Sequence, residues 1–387
     1  MSRVDSVLRL GVTLVFLSAA LFPISWQVKS EMLTPRSFLG IASVGGKLYA
    51  IGGRNSAGTL DTLEIYDQSS DTWSTGNSMP SIRREFGTAA VQDKIYVLGG
   101  YNGTAVLSSV LEFDPESGNW TAKSDMPAPR EDMATAVIND RIYVIGGDNG
   151  SICVDTVYEY DPVGDVWTTK APLPTPRNCL TAQQVNGKIY AIGGCLDTGS
   201  ASSAVEEYDT VTGLWVAKTP MPTARLGIAS AAVNGRIYVM GGFAPVNYFY
   251  STVESYDEGA DSWTTDASMS VARWALAADT AAQNIYAVGG QTLYHSGWTG
   301  LNEEALVIVS VKEYNVEASD ERRPRQVLFA DRMVIPGLEH EWLAVYDVHG
   351  SLVAKQRGSE IGLGLAPGVY FVVGTQSEKP FRVIKIR

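Results

Sequence analysis

Six Gly-Gly pairs organise this chain: Gly52-Gly53, Gly99-Gly100, Gly146-Gly147, Gly193-Gly194, Gly241-Gly242 and Gly289-Gly290, spaced 47 or 48 residues apart. Each ends an apolar segment of the KIYVLGG type. A fixed period near 50, built from strand-like runs, describes a unit that cannot bury both faces alone and must stack on its neighbours in a ring or array. Other positions keep the same beat. Thirteen or fourteen residues after each of the first five pairs stands an aromatic-Asp dipeptide, namely Tyr66-Asp67, Phe113-Asp114, Tyr160-Asp161, Tyr208-Asp209 and Tyr256-Asp257. Six residues after each Asp comes Trp73, Trp120, Trp167, Trp215 or Trp263, and ten after each Trp comes Arg83, Arg130, Arg177, Arg225 or Arg273.

These residues resemble kelch repeats over residues 26–316. The resemblance implies an all-β fold, a six-bladed kelch β-propeller with four antiparallel strands per blade. The physics of each position agrees. Segments such as GTAAV and IASAAV are small enough for inner strands crowded round an axis. Asn139-Asp140, Asn186-Gly187 and Asn234-Gly235 tolerate the positive φ of a two-residue hairpin. Blade six lacks a Trp after its late Tyr314, but Trp26 lies 47 residues before Trp73 and ten before Arg36. Trp26 to Leu33 is therefore expected to be the outer strand of blade six, closing the ring and removing its open edge.

Both ends of the chain carry other signals. Arg3 and Arg9 precede the uncharged run Leu10 to Leu21, the pattern of an export signal over residues 1–21. An uncleaved anchor is the alternative, weakened by Pro23 and Gln27. The propeller is expected over 22–317 and a charged linker over 318–330. A small β-sandwich is expected over 331–387, with runs such as WLAVYDV and GVYFVVG. VYDVHGSLV, LAPGVYFVV and the terminal strand resemble the C-terminal sorting domain of the type IX secretion system, through Asp347, Gly350, Pro367, Gly368, Tyr370 and Lys385. That resemblance implies the secretion machinery as a partner and a secreted or cell-surface destination, with the periplasm as the alternative.

Charge and composition narrow the chemistry. Lys+Arg 30 against Asp+Glu 42 leaves a net charge of -12, unsuited to neutralising a nucleic-acid backbone. Three cysteines, Cys153, Cys179 and Cys195, give no disulfide framework. A Cys179–Cys195 bridge and three free thiols both remain open. With only three histidines, and His295 alone in the propeller, no metal site or cofactor is expected.

A residue repeated in every blade more often serves the fold than a ligand, so function is sought where blades differ. The arginines Arg83, Arg130 and Arg273 remain candidates nonetheless, as members of a ring on the face of the post-Gly-Gly loops. Blades five and six differ most. Phe243, Tyr248, Phe249 and Tyr250 follow one Gly-Gly pair, and Trp274 follows Arg273. Blade six carries about ten extra residues with Tyr294, His295, Trp298, Glu303 and Glu304. Such rings stack on sugars or clamp peptides. Arg54, Arg84, Tyr101 and Asp148 form a more charged rim elsewhere. The expected function is non-catalytic binding of a glycan or protein ligand. One alternative is sugar mutarotation, resembling periplasmic sialic acid mutarotases of kelch type, with Glu85 or Glu131 as acid or base and Arg83 or Arg130 on a carboxylate. A structural spacer in a surface assembly is a third.

Overall fold

A computed structural model describes residues 24–245 and 248–307 in full and, beyond them, the backbone of seven strands between 326 and 385. Two compact units result, Pro23–Val307 and one containing the C-terminal strands. The export-signal segment and most of the linker lie outside the described residues, as does Tyr314.

The first unit is six four-stranded antiparallel sheets. Blade 1 runs Gly40–Val44, Lys47–Ile51, Leu63–Asp67 and Thr72–Thr75, from axis to rim. Blades 2 to 5 repeat this order, with inner strands Gly87–Val91, Ala134–Ile138, Thr181–Val185 and Ala229–Val233. Every inner hairpin turns on two residues of positive φ: Gly45-Gly46, Gln92-Asp93, Asn139-Asp140, Asn186-Gly187, Asn234-Gly235 and Ala282-Gln283. Left-handed dihedrals at both central positions match the right-handed twist of the flanking strands. The second strands are almost wholly buried, because they lie between other strands within a blade and between neighbouring blades.

Blade 6 consists of Ala277–Ala281, Asn284–Val288, Asn302–Leu306 and, from the other end of the chain, Ser25–Lys29. Trp26 pairs with Ala305, as Trp73 pairs with Tyr66 and Trp215 with Tyr208. The closing strand is the expected one, but its partner is not the run near Tyr314. Ala305, fifteen residues after Gly290, holds the aromatic position, so the supposed ten-residue insertion shrinks to one or two residues. The missing aromatic hid the strand. Ile24 and Trp26 join the core cluster that contains Ala305.

The repeated Trp links one blade to the previous one. Its indole Nε1 donates to a carbonyl four residues beyond the preceding Trp: Trp73 to Ser30, Trp120 to Asn77, Trp167 to Ser124, Trp215 to Ala171 and Trp263 to Thr219, at 2.8–3.0 Å. Trp26 makes the same bond to Ala267 at 2.8 Å, across 241 residues of sequence. The seam is thus built like every other junction.

In the second unit, Gln326–Phe329, Phe381–Lys385, Gly368–Gly374, Trp342–Asp347 and Leu352–Arg357 form a five-stranded sheet in that order. Met333–Val334 and Glu360–Ile361 form a two-stranded one. Gln326–Phe329 pairs in parallel with Phe381–Lys385, so a stretch expected to be linker is an edge strand. The register sets Asp347 opposite Tyr370 and Gly368 opposite Lys385.

Trp26→Ala should lower the free energy of unfolding by about 3 kcal/mol, through lost burial and the lost bond to Ala267. The loss should match that of Trp215→Ala in urea denaturation followed by far-UV circular dichroism. A much smaller loss for Trp26 would show that the seam bears less of the stability than the other junctions.

Candidate functional site

The face bearing the post-Gly-Gly loops is built from three consecutive residues repeated in each blade. The first is the Arg of the beat. Arg36, Arg83, Arg130, Arg177, Arg225 and Arg273 are at most 3% exposed. Their carbonyls accept the N–H of the second Gly of a Gly-Gly pair, as in Gly53 to Arg83 and Gly290 to Arg36. A side chain on either glycine would collide with backbone: a Cβ on Gly99 would lie 2.5 Å from the Arg130 carbonyl, and one on Gly100 2.6 Å from that of Arg84.

The guanidinium groups serve the blades. Arg36, Arg177, Arg225 and Arg273 pair with Glu64, Glu206, Glu254 and Glu303 at 2.6–2.8 Å. Glu303 thus belongs to a third strand, not to a binding loop, and Glu304 beside it accepts from Tyr286 and Asn284. Blades 2 and 3 place Leu111 and Tyr158 where the other four have Glu. There Arg83 donates to the Gly99 and Ser109 carbonyls, while Arg130 bonds the Thr156 carbonyl and lies 4.6 Å over the Tyr158 ring. Burial holds the Arg83 and Arg273 pKa values down to about 10. Arg83, Arg130 and Arg273 are therefore buried within the blades, and most of their donors are spent on carbonyls and carboxylates there.

The second position varies: Ser37, Arg84, Glu131, Asn178, Leu226 and Trp274. Each exchanges two backbone bonds with the residue after a Gly-Gly pair, respectively Arg54, Tyr101, Asp148, Cys195, Phe243 and Gln291.

The third position, Phe38, Glu85, Asp132, Cys179, Gly227 and Ala275, has φ of 49–59° throughout. Each donates its N–H to the carbonyl of its counterpart in the preceding blade: Glu85 to Phe38, Asp132 to Glu85, Cys179 to Asp132, Gly227 to Cys179, Ala275 to Gly227 and Phe38 to Ala275, at 2.8–3.2 Å. The six bonds form a closed ring around the axis. Left-handed backbone costs a non-glycine residue on the order of 1 kcal/mol. Five residues accept that cost because the ring gives their backbone groups partners that the axis would otherwise deny.

Around this fixed ring the side chains divide into two sectors. Blades 5 and 6 carry an aromatic wall. Trp274 stacks on Tyr294 at 5.9 Å and 10°, and Phe38 meets Trp274 edge-on at 5.1 Å. Phe243 lies within 5.8 Å of Phe249, Trp274 and Tyr294. Tyr248 touches Tyr250, and His295 packs edge-on to Tyr294. The structure therefore assembles Phe243, Trp274, Tyr294 and His295, with Tyr248 and Tyr250 as a separate pair. Trp298 pairs with Gln291 in a hairpin, and its indole Nε1 is buried without a partner.

Blades 2 and 3 carry a carboxylate cluster. Arg84 bonds Glu85 at 3.3 Å and stacks over Tyr101 at 4.8 Å. Burial raises Glu85, with Arg84 opposing. Burial and the charges of Glu85 and Asp148 push Glu131 up to about 7, and burial followed by Glu85 raises Asp132 strongly. Such a cluster holds protons at neutral pH because its carboxyls cannot all ionise together. Cys179 beside Asp132 is also raised by burial. Cys153, Cys179 and Cys195 are free thiols, so the bridge left open by the sequence is not formed. Four second-position side chains each carry a buried polar atom without a protein partner: Ser37 Oγ, Glu131 Oε2, Asn178 Oδ1 and Trp274 Nε1.

Glu85 and Glu131 were legible as candidates. Ser37, Phe38, Asp132 and Asn178 were not, although each stands one or two residues after an Arg of the beat. That offset is the signal that finds them.

Replacing Glu85 by Gln should bring the Glu131 pKa down from about 7 toward the ordinary carboxylate range, read by carbon-13 NMR of the side-chain carboxyl. An unchanged value would mean that the two do not interact. Glu303→Leu should destabilise the fold by about 3–5 kcal/mol by leaving Arg273 buried and uncompensated. Arg273→Met in the same chain should recover most of that loss in chemical denaturation.

The kelch-repeats domain family of KLHDC2, KLHL20 and DRC7 matches residues 20–147 and 121–290. A solved structure titled "Structure of YjhT" is similar in fold, with a TM-score of 0.62 and 18% identity over 72% of this chain and 96% of that one. No curated protein matches the sequence. The repeated Gly-Gly, Tyr-Asp, Trp and Arg positions, their six sheets and the family match lead to one conclusion: this chain belongs to the kelch-repeat family.

Proposed function

We propose that the chain is an exported binding protein that holds a glycan or protein ligand on the face of the post-Gly-Gly loops. The observation that carries this reading is one mouth with two walls. On one side, Trp274, Tyr294 and Phe243 present aromatic surface. On the other, Arg84, Glu85, Glu131 and Asn178 present hydrogen-bonding groups. A sugar ring has an apolar face and a hydroxylated rim, so it suits both walls at once. Ser37 Oγ, Asn178 Oδ1 and Trp274 Nε1 favour a polyhydroxylated ligand further, since buried polar atoms without partners cost stability until water or a ligand satisfies them. The basic and apolar start of the chain supports export. The sorting-like C-terminal region, with Asp347, Gly368, Tyr370 and Lys385 in its strands, supports delivery to the cell surface by the secretion machinery.

A second reading is favoured by the carboxylate cluster. Glu131, half protonated near neutral pH, with Glu85 and Asp132 beside it, is equipped to give and take protons at a sugar's anomeric centre. Mutarotation needs only such transfers and no cofactor. The resemblance to periplasmic sialic acid mutarotases points the same way.

A glycan screen with the full chain separates the readings. Trp274→Ala should weaken binding of any captured sugar about tenfold, the worth of one good aromatic contact; unchanged affinity would move the site off this face. If the protein speeds anomerisation of that sugar in NMR exchange measurements, Glu131→Gln should abolish the acceleration while leaving binding near the wild-type level.

A further inference from the structure

Beneath the six-bonded ring, the inner strands enclose a lumen of about 540 Å³. It is lined mainly by Gly, Ala, Ser, Thr and Gln of these strands. Each inner strand ends its sheet, so one edge of its backbone has no strand partner. Side chains from neighbouring blades satisfy part of that edge: Thr135 donates to the Thr88 carbonyl and Gln183 to the Ser230 carbonyl. Thr88 Oγ1 is buried and has no partner.

One lining residue breaks the pattern of the repeat. The middle of the inner strand is Ala42, Ala89, Ala136 and Ala231 in four blades and Gln183 in another. In blade 6 it is Asp279. Asp279 is the only ionisable residue among the described residues that line the lumen. It accepts backbone N–H groups of Thr280 and of Ser43 in blade 1, and among the described residues no salt bridge reaches it. Burial pushes its pKa up to about 6. The sign of that shift matters: a carboxyl raised above its unfolded value costs stability as pH climbs from about 4 through 6. Four blades keep Ala here, so the carboxylate of Asp279 is a feature of blade 6 alone among the six inner strands.

We propose that the lumen is a second binding site, separate from the mouth above the ring, for a small molecule bearing one ammonium group, which pairs with Asp279. Charge selects this class. A single carboxylate balances one positive charge, whereas divalent ions favour more anionic oxygens and soft metals favour nitrogen or sulfur. The Ser, Thr and Gln residues that line the lumen carry neutral oxygens, the type of acceptor that an ammonium's remaining donors require. The volume falls within the range of small-molecule sites.

The test uses the full chain at pH 8, with ethanolamine hydrochloride as probe and ethylene glycol or potassium chloride at matched concentration and ionic strength as controls. Ethanolamine should raise the thermal midpoint in a saturable way, and neither control should. The rise should vanish at pH 4.5, where Asp279 is protonated, and in both Asp279→Asn and Asp279→Ala. Those variants should themselves melt higher than wild type at pH 8 without ligand, which shows that they fold. No saturable shift, an equal shift from potassium chloride, or a shift that survives in the variants would each overturn the assignment.

Discussion

The pairing of Ser25–Lys29 with Asn302–Leu306 makes six sheets into one closed body. Without it, blade 6 would present Asn302–Leu306 as an open edge, and the first and last blades would each lack part of their neighbour. With it, every junction repeats the same contacts: an indole to a carbonyl of the preceding outer strand, an Arg carbonyl to a glycine N–H, and one link of the axial ring. Closure therefore distributes the cost of folding evenly round the ring. The same bonds recur at the seam, though the residues making them are separated by most of the propeller's length.

That uniform frame leaves chemistry to a few positions. The axial ring is made of backbone, so it tolerates Phe38, Glu85, Asp132, Cys179 or Ala275 in turn, and what each side chain contributes is free to differ. The residue before it is equally free, because its two bonds to the post-Gly-Gly strand are also backbone. Around one mouth, blades 5 and 6, with Phe38 of blade 1, thus supply aromatic rings while blades 2 and 3 supply the acids. Proximity then does what no single residue could. Three acids that would each ionise readily in water are all shifted toward their protonated forms, because burial and mutual repulsion both disfavour the charged forms.

Much of the fold was legible because it rests on local rules repeated six times. The Gly-Gly pairs, the paired turn residues and the Trp-to-Arg interval each answer a steric or bonding need within one blade or between two neighbours. The errors came where a blade met that need with another residue. Ala305 in place of an aromatic concealed the third strand of blade 6 and made a normal loop look long. The arginines drew attention as a charged ring, yet burial turns their charge inward, to Glu64, Glu206, Glu254 and Glu303 or to carbonyls. Sequence spacing reports that a residue recurs; it does not report which way the side chain faces.

The sequence by itself determined the number of blades, their order and the strand that closes them, since these follow from periodicity, backbone sterics and the need to leave no open edge. Only the tertiary structure decided which side chains meet. Glu85, Glu131 and Asp132, or Phe38 and Trp274, come together through ring closure around the axis. Their pKa values and stacking depend on burial and on distances between blades, which no interval along the chain encodes.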